Sequence, residues 1–320
     1  MAESASLSQE RLDAAPPSDA GLGSAALIRV VESHRAWLGR CPGGRQACLH
    51  GVVPDAALDK VNFERADLKS AKFINARMSG ANLGGANLQF ADLSNANLIE
   101  ANLSHAELSD ARLDGTLLGR ANLTEIRCLR ASFRGANLRE AHLLEGSIEK
   151  CDFTGAVLGA ARLLQAKVLD CNFTDAELTG ANLYHCVFRW CKLPGISAVG
   201  SNWGTATVQD CEFRRADLTS ARFERADLRQ SSFWHATLTG ANLQSARLNG
   251  ANLECANLTG VRFDDAATLS ANFRGANLQG ARGLTQTQLG QARTDCDTIM
   301  PDGSRGPFLL GSGANRPLRL

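Results

Sequence analysis

From Ala56 to Gly280 the chain repeats every five residues without an insertion or a deletion. It reads AALDK, VNFER, ADLKS, AKFIN, ARMSG, ANLGG and runs on to AATLS, ANFRG and ANLQG, so those 225 residues form 45 units. A repeat this regular decides the fold before local propensity acts, because one short unit cannot bury an apolar face alone and must stack on its copies. Five matches neither the helical period of 3.6 nor the strand period of 2. Within a unit a small residue and a Leu or Phe lie two apart, so in an extended segment they share a face. The last two positions are mostly polar or glycine; Gly80, Gly85, Gly155, Gly180, Gly240, Gly260 and Gly280 all end units. One unit is therefore a very short strand and a corner, with its apolar pair turned inward.

The number of corners per coil follows from the large residues. Eleven Phe occupy the central slot, and seven of them (Phe73, Phe133, Phe153, Phe173, Phe213, Phe233, Phe273) differ by multiples of 20. An even spread over four sides would not gather them so. Cys151, Cys171, Cys191 and Cys211 repeat the signal in the small slot. Like residues stack on like when coils superpose, so one coil is 20 residues and four sides. The units then make about eleven coils, a rod roughly 50 Å long at a strand spacing of about 4.8 Å. Asn62, Asn82, Asn102 and Asn122 fall on one line and can form an amide ladder.

The A(D/N)LxX units, such as ANLSH, ADLTS and ANLQG, resemble the pentapeptide-repeat family. The resemblance implies an all-β fold, a right-handed quadrilateral β-helix. The four sides follow independently from the period, and the hand comes from the resemblance alone. Units IRCLR (126–130), GSIEK (146–150), ISAVG (196–200) and AATLS (266–270) depart from the pattern, so local irregularity is expected there.

An open coil edge invites end-to-end stacking unless it is covered. Residues 24–39 read as an amphipathic helix with Leu27, Val30, Val31, His34, Trp37 and Leu38 on one face and Ser24 as N-cap. The expected organisation is a disordered tail (1–20), an N-terminal helical cap and bridging segment (21–55), the β-helix (56–280), a C-terminal cap (281–302) and a disordered tail (303–320). There is no basic, apolar leader at the start and no 18-residue apolar run. A reducing cytoplasm is the expected compartment, since the ten cysteines follow no small-scaffold disulfide spacing.

Candidate chemistry is sparse. Residues 56–280 carry 24 basic and 24 acidic side chains, many of opposite sign 20 apart: Lys72, Asp92 and Arg112, or Glu100, Arg120 and Glu140. Such rows read as a solvated, self-compensating surface. The cysteine column reads as small buried residues in place of Ala, because stacked side chains run parallel and give neither a relaxed disulfide nor a tetrahedral metal site. Cys41, Cys48 and His50 lack a fourth metal ligand. His34 reads as helix-face packing, and His105, His142, His185 and His235 have no paired acid or nucleophile. No nucleophile elbow, phosphate loop or dinucleotide fingerprint occurs, and a filled solenoid offers no pocket. No catalytic residue, cofactor or metal is expected. The exception to surface polarity is Leu144, Leu164 and Tyr184 on one line, Leu129 and Leu169 on the next side, and Trp190 at the nearby corner. Contiguous exposed apolar groups mark interaction sites.

Two functions fit. The first is a non-enzymatic protein–protein interaction scaffold whose partner, another protein or a second copy of the chain, the sequence leaves open. No nucleic acid or membrane partner is expected. The second is what the resemblance implies: some pentapeptide-repeat proteins mimic duplex DNA and bind DNA gyrase or topoisomerase IV. Mimicry needs a continuous negative stripe to match the dense charge of the duplex, and no 20-residue row here is dominantly acidic.

Overall fold

The computed structural model describes residues 24–49 and 57–307. The expectations for 1–20, for His50 and for 308–320 lie outside the described residues. The chain forms a parallel β-solenoid. Bridges link each residue to the one 20 positions on, from Ala57↔Arg77 through Asn62↔Asn82 to Asn257↔Asn277 and Arg262↔Arg282. The sides are numbered here by their central residues: side 1 carries Leu58 and Met78, side 2 Phe63 and Leu83, side 3 Leu68 and Leu88, side 4 Phe73 and Leu93.

Every unit solves the same hydrogen-bonding problem. The first and third residues point inward and are buried, as in Ala81 and Leu83. The central N–H donates to the next coil, as Leu83 N does to Asn102 O at 2.6 Å. An Asn or Asp at the second position accepts from the fourth N–H, as Asn82 Oδ1 does from Gly84 N at 3.1 Å. That local bond is why the repeat favours Asn and Asp there: a short side-chain acceptor holds the chain in its turn. Every fifth residue from Lys60 to Gly280 then adopts the left-handed conformation, with φ of 52° to 61° at the non-glycine corners. Glycine ends only a minority of units. At the others the left-handed cost of about 1–2 kcal/mol is offset by an inter-coil bond, such as Glu100 N to Gly119 O at 2.9 Å.

The Phe column of side 4 is a direct gauge of the coil. The Phe133–Phe153, Phe153–Phe173 and Phe213–Phe233 rings stack near-parallel with centroids 4.6, 4.7 and 4.9 Å apart. That is the inter-strand spacing of a sheet, so rise and ring stacking agree. The amide ladder forms from Asn82 to Asn122, with Nδ2–Oδ1 distances of 3.0 and 3.2 Å. Asn82 Nδ2 turns away from Asn62 and donates to Glu64 at 3.3 Å.

Side 3 departs from the rest. Its middle holds a five-stranded parallel sheet, β1 (Arg127–Leu129), β2 (Ser147–Glu149), β3 (Lys167–Leu169), β4 (Val187–Arg189) and β5 (Thr207–Gln209), each in register with the next. These five units lack Asn or Asp at the second position, and their centres are Cys128, Ile148, Val168, Phe188 and Val208. A missing acceptor alone does not do this, since ARLDG and AHLLE also lack Asn or Asp at that position and turn in the ordinary way; in these five adjacent coils the fourth residues pair with one another and extend the ladder. The extension carries a cost. Ordinary units close with the next N–H donating back three residues, as Ala66 N does to Phe63 O at 3.0 Å. That bond is missing at residues 131, 151, 171, 191 and 211.

The cysteine column supplies the replacement. The Cys151, Cys171 and Cys191 thiols lie 3.6, 3.6 and 3.5 Å from the carbonyls of Cys128, Ile148 and Val168 and 3.3, 3.2 and 3.4 Å from those of Glu149, Leu169 and Arg189, so each S–H has two carbonyls to donate to. Cys171 Sγ in turn accepts the Cys151 N–H at 3.3 Å. Ser231 does the same at the end of the column, donating to Val208 O at 2.9 Å and accepting from Cys211 N at 3.1 Å. The thiols are therefore more than small space-fillers. Cys171 Sγ and Ser231 Oγ take up N–H groups that the extension leaves without their ordinary carbonyl.

Two other departures have local causes. The ISAVG unit puts Ala198 where neighbouring coils carry Leu, in the coil that holds the fully buried Trp203, so small offsets large. Ser201 Oγ accepts the Trp203 indole N–H at 2.7 Å and donates to Ala198 O at 2.6 Å. The AATLS unit puts Thr268 in a central slot, where its hydroxyl donates to Gln288 O at 2.8 Å.

Gln288 belongs to the C-terminal closure. Helix α1 (Ser24–Leu38) opens the described chain, and α2 (Gln286–Gln291) follows the last coil. Thr285 and Gln288 form a capping box on α2. Leu289 is buried, and Gln288 Nε2 donates to Phe263 O and Ala266 O at 3.2 and 2.8 Å. The closure does not stop at 302: Ile299 pairs antiparallel with Arg305, and Met300 N donates to Ser304 O at 2.8 Å. Residues 303–307 thus belong to an ordered hairpin, where the sequence reading places a tail.

At the other end α1 begins at Ser24, whose side chain lies outside the described residues. Leu27 and His34 are buried and Val30 and Val31 pack on the core, while Trp37 is half-buried and stacks on the His34 ring at 5.4 Å. His34 is a connector, not merely packing. Its Nδ1 accepts the Ala47 N–H and its Nε2 bonds Glu64 O, both at 2.9 Å, so the ring is the neutral Nε2–H tautomer. Burial lowers its pKa below the ordinary histidine value, against the opposing effects of the Glu64 carbonyl and charge.

Candidate interaction surface

Apolar side chains reach the surface only at positions two, four and five of a unit, and the sheet register decides which become neighbours. Leu144, Leu164 and Tyr184 occupy successive coils of side 2; both leucines are half-buried, and Tyr184 is 38% exposed. The Tyr184 ring lies over Gly204 one coil on, where a Cβ would come within 3.1 Å of it. Tyr184 also meets the His185 ring edge-on at 4.3 Å. Leu129 and Leu169 are half-buried on side 3 and are not adjacent: Glu149 pairs with both and stands between them. Trp190 is 56% exposed at the corner between sides 3 and 4. The structure therefore brings together the side 2 row and leaves the side 3 leucines as separate points, because a charged residue occupies the intervening coil.

Other exposed apolar residues escape the sequence reading. Ile99 and Leu117, 37% and 40% exposed, are neighbours on side 1; they line a notch of about 230 Å³ with Gly119, Arg120 and Arg139. Phe90 is exposed at a corner with Lys69 over its ring at 5.5 Å. A search along single columns misses the first pair, since one residue is in slot four and the other in slot two. The signal was there: positions 97 and 117 stack, and 99 follows 97.

The charges compensate by column. Arg120 contacts Glu100 and Glu140 at 3.9 and 2.9 Å. Arg112 lies 3.7 Å from Asp92. Arg130 makes two bonds of 2.7 Å to Asp110, which hold that carboxyl below its ordinary value. Arginines likewise meet Asp152, Glu177 and Asp227. Acids neutralised by the adjacent coil do not build a negative stripe.

Among the described residues no three His, Cys, Asp or Glu side chains converge to hold a metal, and no helix is long and apolar enough to cross a membrane. Cys41 and Cys48 are exposed. Burial raises the thiols of Cys128 and Cys186, and hydrogen bonds with Cys151 and Cys191 raise Cys171.

Sequence models of pentapeptide repeats match residues 55–85, 81–120, 117–158 and 151–189, and a pentapeptide-repeat-region model matches 206–282. This chain belongs to the pentapeptide-repeat family. No curated protein matches its sequence. Among solved pentapeptide-repeat structures it is similar to HetL, involved in heterocyst differentiation regulation in the cyanobacterium Nostoc sp. strain PCC 7120. That match has 24% identity over 89% of this chain and 99% of HetL, with a TM-score of 0.26. QnrB1, a plasmid-mediated fluoroquinolone resistance protein, is 16% identical over 59% of this chain and 91% of its own, TM-score 0.25. A pentapeptide repeat protein from the Arabidopsis thaliana thylakoid lumen is 32% identical over 26% of this chain and 61% of its own, TM-score 0.20. At these values the likenesses say nothing about what this pentapeptide-repeat rod binds.

Proposed function

We propose that this pentapeptide-repeat protein is a non-enzymatic interaction scaffold that holds side chains in fixed rows for a protein partner. The observation that carries the reading is the side 2 row, Leu144, Leu164 and Tyr184, on a backbone whose interior is filled and many of whose surface charges pair across coils. Rows fixed by inter-coil bonds need little ordering on association, which lowers the entropic cost of binding. Leu129, Leu169 and Trp190 add separate apolar points on the next side and its corner. The paired acids count against duplex mimicry. The test is capture of a partner by the tagged protein beside a Leu144→Asp/Leu164→Asp variant. A partner bound by the wild type and lost by the folded variant supports the reading; a partner held equally by both contradicts it.

A further inference from the structure

The corner between sides 3 and 4 carries the ridge Phe90, Asp110, Arg130, Lys150, Asp170, Trp190 and Asp210, one residue per coil. Trp190 stands on it between two aspartates. All three are exposed and share the left-handed backbone, with φ of 52°, 55° and 54°. Elsewhere the rod shows how it treats an acid–X–acid column. In Glu100–Arg120–Glu140 the middle residue is an arginine reaching both carboxylates. On this same ridge Asp110 is held bidentately by Arg130. At 170–190–210 the middle residue is a tryptophan, and neither Asp170 nor Asp210 has a side-chain hydrogen bond or ion pair among the described residues.

The nearby cations do not fill the gap. Lys150, one coil before Asp170, turns to Glu149 at 3.6 Å. Arg229 is bound to Asp227 at 2.7 Å. Arg189 and Lys192, on either side of Trp190 in the chain, are exposed and make neither an ion pair nor a ring contact among the described residues. Among the described residues Trp190 has no ring partner. By contrast the half-buried Trp234 already carries Arg214 over its ring at 4.5 Å. An indole face flanked on both sides by free carboxylates fits a planar cation: the guanidinium stacks on the ring and its N–H groups reach the oxygens.

We infer that Asp170, Trp190 and Asp210 form a receptor for an arginine side chain of a partner protein, which completes the acid–arginine–acid column from outside. The inference rests on the interaction reading above and names the chemistry of its partner. The occupant is an arginine and not a lysine, because the fork can bond two carboxylates while its plane stays on the ring.

The test uses the full chain labelled at tryptophan, with N-acetyl-arginine methylamide as probe and the citrulline analogue, neutral and nearly isosteric, as control. The Trp190 indole N–H resonance is expected to shift saturably with the arginine probe, less with the lysine analogue and not with citrulline. Trp234 serves as an internal reference that does not move. D170N/D210N is expected to weaken the probe by about 10-fold, and added salt weakens it further. An unmoved Trp190, an equal shift with citrulline, or a shift indifferent to D170N/D210N overturns the receptor. If Trp190 is silent while the side 2 variant still loses its partner, the receptor falls and the scaffold stands. A wild type that sediments as a dimer with a monomeric W190A overturns the assignment to a different protein and seats a second copy there.

Discussion

Trp203 is fully buried and rests its indole N–H on Ser201 Oγ. Ser201→Ala leaves that N–H without an acceptor, at a cost of about 1–3 kcal/mol, read as a lower urea midpoint with an unchanged slope. The column at 151–231 makes a second prediction. Cys171→Ala removes the donor to Ile148 O and the acceptor for Cys151 N–H, whereas Cys171→Ser keeps both functions as Ser231 does. The serine variant is expected to unfold at a higher denaturant concentration than the alanine variant; the reverse order would reduce these thiols to space-fillers. At this scale the sequence shows which side chains are buried, because slot parity is explicit. It hides why Cys replaces Ala, because that depends on a lost backbone bond one coil away.

Among the elements, α1 is legible from its apolar face, and its link to the rod is not. His34 reads as packing in a list of apolar neighbours; only the register places Glu64 O and Ala47 N–H at its two nitrogens. Protonation would put a hydrogen on Nδ1, against the Ala47 donor. The folded pKa lies below that of the unfolded chain, so the unfolded chain takes up protons first. The docking contribution is therefore full above the ordinary histidine value of about 6.5, and is lost as pH falls below it toward the depressed folded value. Hydrogen exchange in α1, corrected for intrinsic rates, should show protection dropping between neutral and mildly acidic pH; a His34→Gln control should lose most of that pH dependence. The side 3 sheet is an element the repeat pattern marks only negatively. IRCLR and GSIEK stand out as irregular, but AKVLD, CVFRW and ATVQD do not, and all five are strands. What unites them is five consecutive second positions that give their own fourth N–H no acceptor, whereas Glu107 in the coil before accepts from Ser109 N–H.

For the whole molecule, the 20-residue coil is the unit that the chain can gain or lose. Deleting 236–255 keeps every downstream residue on its side, so the shortened rod should fold and unfold cooperatively with a modestly lower midpoint. Deleting only 236–240 turns each downstream residue to the next side and takes Phe273 out of the column of Phe233. That variant should lose stability well beyond the loss of one unit, by circular dichroism in urea. Four-sidedness and coil length are legible because identical large residues recur every 20 positions. The interaction surface is less so, because exposure depends on which slots meet across coils. The central claim, that the rod works through rows of surface side chains, is tested most directly by the affinity of the captured partner for wild type and for Leu164→Asp. Asp114 and Asp264 already occupy the same slot in other units, so the substitution suits the fold. The account predicts unchanged circular dichroism and at least about a 10-fold weaker complex, as for loss of a central apolar contact; a folded Leu164→Asp that binds as tightly as wild type would contradict it.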